Sequence, residues 1–120
     1  MPIKLTEAEC RFAITNGDFS EEVRNAAPSV AIILTQSWCP QWLFMKSYLA
    51  EAEKTLQEKL QIRFLEYDRE SFFQVFMYFK EEIFRNREVP YVRYYINGIL
   101  ASESNYTSKQ GFLTKLGLFR

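Results

Sequence analysis

Residues 30–42 read VAIILTQSWCPQW, and the fold turns on how they are read. The first six, VAIILT, are an unbroken and largely β-branched apolar run. A strand buried on both faces, at the centre of a parallel sheet, has this composition. Three residues after the run, past Gln36-Ser37-Trp38, stand a cysteine and a proline. Pro40 suits the first turn of a helix, where its missing N–H is not needed. From there Trp42, Met45, Leu49, Ala52, Leu56 and Leu60 recur at spacings of 3 and 4, one apolar stripe of a helix predicted to run from Pro40 to about Leu60. The stretch is therefore a strand, a turn and a helix, with Cys39 at the helix N-cap.

Outward from that unit, strands and helices alternate. Residues 10–16, CRFAITN, alternate loosely and read as a first strand, with Cys10 opening it. Asn16-Gly17-Asp18 is turn chemistry. Asp18 or Ser20 can cap a short helix with Phe19, Val23 and Ala26 on one face, which Pro28-Ser29 ends. QIRFLEY at 61–67 reads as a strand, and Ser71 to about Asn86 as a second long helix rich in phenylalanine. YVRYYI at 91–96, then Asn97-Gly98, then ILASE is a hairpin signal. Residues 108–119 read as a closing helix. The pattern predicts one α/β domain over 1–120, with a mixed sheet of about five strands, the last two an antiparallel hairpin, flanked by about four helices. Ligand sites in such sheets lie beyond the carboxyl ends of the parallel strands, which is where Cys39 falls.

Composition narrows the chemistry. Lys plus Arg and Asp plus Glu both number 15, so the formal charge is zero and nothing favours nucleic acid or an anionic membrane. No apolar run reaches the roughly 20 residues of a membrane helix, and the start, MPIKLTEAECRF, lacks a signal-peptide core. The expected location is cytoplasmic. There is no histidine, which removes His-based acid–base and nucleophile pairs and the common zinc sites. The four glycines are scattered and form no phosphate loop. No cofactor and no metal are expected. The two cysteines make no disulfide framework. With Cys10 at the far end of its strand, pairing with Cys39 would exceed the ~7 Å Cα separation that a disulfide allows.

Several short stretches, in order and suitably spaced, resemble the thioredoxin family over roughly residues 10–119. They are ITNGDFSEEV, WCP, KLQIRFLEYD, VPY, YINGIL and TSKQGFLTKL. The resemblance implies a thioredoxin-like fold, a cis Pro90 facing Cys39, and a client segment that pairs with the backbone before that proline. Three positions depart from the family pattern. Trp42 stands where the resolving cysteine would be, Ile33 where a buried aspartate would be, and Phe64 where many members have a buried lysine. In the family these charges assist proton transfer at the second thiol, so the three replacements agree with one another. The segment between Asp68 and Pro90 is also longer than usual, which predicts an extended phenylalanine helix.

Cys39 is thus the candidate catalytic residue. Free N–H groups and the dipole at a helix start favour a thiolate. Trp38, Pro40, Gln41, Trp42, Val89 and Pro90 are the candidate groove, although Trp42 also continues the packing stripe. Two functions follow. One is single-thiol chemistry with a protein client or a low-molecular-weight thiol. The other is a binding or dimerisation module without turnover, with the Phe72–Phe84 helix as a surface for a second copy.

Overall fold

The computed structural model describes residues 1–118. A five-stranded mixed sheet has the order β1-β3-β2-β4-β5. Its strands are β1 (Ile3–Lys4), β2 (Ser29–Thr35), β3 (Leu60–Glu66), β4 (Tyr91–Ile96) and β5 (Ile99–Ser104). β2 is central and buried at every position. It runs parallel to β3, with Ser29 opposite Leu60 and Thr35 opposite Glu66, and antiparallel to β4. The continuous apolar run of β2 is what a strand covered on both faces requires. β4 and β5 form the hairpin, whose turn residues Asn97 and Gly98 both have positive φ, 53° and 80°. That pair of left-handed residues is the reason an Asn-Gly sequence stands here.

Helices α1 (Glu7–Asn16), α2 (Glu21–Arg24) and α4 (Phe73–Glu82) belong to one face of the sheet, α3 (Pro40–Leu56) and α5 (Lys109–Lys115) to the other. Alternation along β2 divides the core. Val30, Ile32 and Leu34 join Cys10, Phe19, Phe76, Phe79 and Tyr91, whereas Ala31 and Ile33 join Cys39, Trp42, Met45, Leu49 and Phe112. Side chains at successive strand positions point to opposite faces, so one strand feeds two cores.

The structure corrects four sequence readings. Residues 10–16 are not a strand but the second half of α1. Thr6 caps that helix by accepting from the Glu9 N–H, while the Glu9 carboxylate accepts from the Thr6 N–H at 2.9 Å. This capping box, and the left-handed Gly17 that ends the helix at φ 87°, outweigh the loose alternation. The first strand instead is Ile3–Lys4. Helix α3 stops at Leu56, because Gln57 turns left-handed at φ 49° and Leu60 enters β3. The phenylalanine helix is short rather than extended. Its extra sequence goes into the turn at 70–72 and the loop 83–90. The closing helix spans Lys109–Lys115, and Phe119 lies outside the described residues.

Candidate functional site

Cys39 caps α3 at the carboxyl end of β2, with Pro40 as the first helical residue. Its side chain makes no capping bond, so the first N–H groups of α3 are not claimed by it. The turn that carries it is tightly held. Asp68 accepts from the Ser37 backbone N–H at 2.7 Å and from the Ser37 hydroxyl at 2.5 Å. Burial works against the Asp68 charge, but these two bonds, its own backbone N–H and the charge of Arg69 together outweigh it and hold the carboxyl below its usual range. The Cys39 N–H reaches the Gln36 carbonyl at 3.2 Å. Gln36 in turn accepts from the Trp38 indole at 2.6 Å and donates to the Tyr67 hydroxyl at 3.3 Å.

Opposite the thiol stands the Val89–Pro90 peptide, which is cis. The Cys39 Sγ donates to the Val89 carbonyl at 3.7 Å, a normal separation for a sulfur donor. Cys39 is 3% exposed. Around it Trp38, Pro40 and Gln41 are exposed, Val89 is half-buried and Pro90 is buried. Five of the six predicted groove residues therefore flank the cysteine on the turn, at the helix start or across from it.

Trp42 does not line that groove. It is 1% exposed, packs on Phe64 with ring centroids 5.7 Å apart, and donates its indole N–H to Glu66 at 2.7 Å. Lys46 lies over the same indole at 5.4 Å and pairs with Glu66 at 3.7 Å, so the basic side chain nearest in sequence is turned away from the thiol. Ile33 is wholly buried and Phe64 partly so, both on the same face as Cys39. Ile33, Trp42 and Phe64 thus form one apolar environment beside Cys39. Both cysteines are free, and they lie in different cores. Cys10 is buried in α1, and burial pushes its thiol up to about 12. The barrier to pairing is thus the sheet between them, not the length of a strand.

The phenylalanines are likewise core. Phe72, Phe76, Phe79 and Phe84 are buried, and Phe73 packs against Tyr67. The apolar side chains that this segment exposes are Val75, Tyr78 and Ile83. Among the described residues, no His, Cys, Asp or Glu side chains cluster as a metal site, and no helix is long and apolar enough to cross a membrane.

The sequence reading missed the residues behind the Val89–Pro90 wall. Lys80 is fully buried and donates to the carbonyls of Asn86 at 2.9 Å and Glu88 at 2.8 Å. Asn105 donates to the Pro90 carbonyl at 3.0 Å. The available signal was a lysine on the buried stripe Phe76, Phe79, Lys80, where an apolar residue is the rule.

No family model matches the chain, and no curated protein matches it in sequence. Solved structures do resemble it. A mutant thioredoxin from Halobacterium salinarum NRC-1 superposes with a TM-score of 0.68 at 11% identity, covering 99% of this chain and 91% of that one. The thioredoxin of Plasmodium falciparum gives 0.60 at 15% identity over 83% of this chain and 90% of its own. Together with the strand order and the helix-start turn at Cys39, these likenesses show that the chain has a thioredoxin fold.

Proposed function

We propose that the protein carries out single-thiol disulfide exchange at Cys39. The observation that carries this reading is the thiol's position: at the start of α3, within hydrogen-bond reach of the Val89 carbonyl. The Cys39 thiolate attacks one sulfur of a client disulfide. That S–S bond breaks, a Cys39–client mixed disulfide forms, and one client thiolate leaves. A low-molecular-weight thiol then attacks the Cys39 sulfur and releases the second client thiol. A second equivalent attacks the resulting adduct, restores Cys39 and leaves as the small-molecule disulfide. Client disulfide and two small thiols become client dithiol and one small-molecule disulfide, so electrons balance without a resolving cysteine. Trp42, buried where that cysteine would stand, is consistent with an external resolving thiol.

The burial of Cys39 favours a second reading, a binding module that uses the groove of Trp38, Pro40, Gln41, Val89 and Pro90 without turnover. Glutathione disulfide separates the two. Exchange predicts a single glutathione adduct on the native protein, detected by mass, absent in Cys39→Ser and removed by reduced glutathione. A native protein that forms no adduct, yet forms one once unfolded, would overturn exchange and leave the binding module as the reading.

A further inference from the structure

The segment before Pro90 is tied down from behind by two side chains that do not touch the thiol. Lys80 enters from α4 with no exposed surface. Its ammonium makes no salt bridge among the described residues. Its partners are the Asn86 and Glu88 carbonyls, with the Tyr91 ring 5.6 Å away. Glu81 and Glu88 act on it only through space, both favouring the charge. A buried ammonium is costly, and a methionine or leucine would fill this site at less cost to the fold.

Asn105, just past β5, supplies the second hold. Its amide donates to the Pro90 carbonyl at 3.0 Å, with the Glu88 carbonyl sharing a hydrogen at 3.4 Å. It also exchanges bonds with the Asn86 amide at 3.0 and 3.1 Å. Asn86 in turn accepts from the Glu88 N–H at 3.0 Å. The carbonyls of residues 86, 88 and 90 are therefore all claimed by this brace. The carbonyl of Val89, between them, meets the Cys39 Sγ. Arg85, at the start of the segment, has a positive φ of 62°, a conformation that a non-glycine residue keeps only when its surroundings impose it.

We infer that Lys80 and Asn105 are positioning residues for Cys39, acting through the 86–90 backbone to set the Val89 carbonyl against the thiol and to hold the edge along which a client lies. This rests on the exchange reading of Cys39. Without the brace the segment is free to swing. The thiol then loses its cover and becomes easier for a small reagent to reach, whereas a client that must align along Val89 is captured less well.

The test uses the whole chain as Lys80→Met and Asn105→Ala, with Cys39→Ser as the control for Cys10. Two rates are measured on folded protein: alkylation by iodoacetamide, and capture of an unstructured peptide carrying its cysteine as a mixed disulfide with thionitrobenzoate. The expected result is a split, iodoacetamide faster and peptide capture slower by about tenfold, the scale on which small misplacements act. A purely structural role would change both rates in the same direction. Should Lys80→Met fail to fold, Asn105→Ala decides, because Asn105 is only half-buried. An iodoacetamide rate within about twofold of wild type in folded Asn105→Ala overturns the inference. A wild-type thiol inert to the peptide would sink the exchange reading instead, and the iodoacetamide arm would still judge the brace.

Discussion

Trp42, Ile33 and Phe64 together make the surroundings of Cys39 apolar. Trp42 fills the space beside β3, stacks on Phe64 and uses its only polar atom on Glu66. With Ile33 wholly buried in the same cluster, the surroundings of Trp42 are continuous core. Lys80 is the counterexample, a charge kept where packing alone would discard it. Burial lowers its amine from the ordinary 10.5 to about 8, against the pull of Glu81 and Glu88. The sign of the resulting pH dependence follows from proton counts. Between about pH 8 and 10.5 the unfolded chain holds the Lys80 proton and the folded chain has lost it, so stability rises with pH across that window. Below pH 8 both states are charged and the contribution is flat. Tyr91 and Tyr95 pull the other way above pH 10, because burial raises their folded-state values. The diagnostic quantity is therefore the difference between wild type and Lys80→Met. In urea unfolding at pH 7.5 and pH 9.5, wild type is expected to gain relative to the variant. An unchanged difference would mean the amine keeps its proton throughout.

At the scale of elements, local signals decide boundaries and packing decides faces. The turn from β2 into α3 was legible because the β-branched run favours a buried strand and the proline favours the first turn of a helix. The β4–β5 hairpin was legible for the same reason, since Asn97 and Gly98 have the conformation that their residue types prefer. α1 was misread because C-R-F-A-I-T-N alternates, while its start signal lies four residues upstream of Cys10, at Thr6. The cap makes a specific prediction. Thr6→Ala removes the acceptor of the Glu9 N–H and should cost about 1 kcal/mol in urea unfolding. Thr6→Ser, which keeps the hydroxyl, should cost much less. Equal losses in the two variants would show that the hydroxyl bond is not what starts the helix.

Across the whole molecule the sheet is a partition. The core holding Cys10, Phe19 and the phenylalanines of α4 lies on one side, and the core holding Cys39 and Trp42 on the other. The two thiols lie in different cores, on opposite faces of β2. Mild oxidation of the folded protein is thus expected to leave two free thiols and no intramolecular disulfide, counted by mass after alkylation in denaturant. Native alkylation should label no more than Cys39, since Cys10 is wholly buried and burial raises its thiol pKa. Reversible formation of a Cys10–Cys39 bridge in the folded state would contradict the two-core arrangement.

The amino-acid sequence by itself determined the α/β alternation, the central strand, the hairpin and the placement of Cys39 at a helix start. Each rests on periodicity, backbone propensity or a cap confined to a few adjacent residues. It also placed Ile33, Trp42 and Phe64, and no second cysteine, at positions 33, 42 and 64. Only the tertiary structure decided that Cys39 is covered, that Trp42 belongs to the core and not to the groove, and that the phenylalanine face is buried. It alone brought Lys80 and Asn105, 25 residues apart in sequence, onto one stretch of backbone behind Val89. Burial and long-range hydrogen bonds depend on which distant segments meet, and no local pattern encodes that.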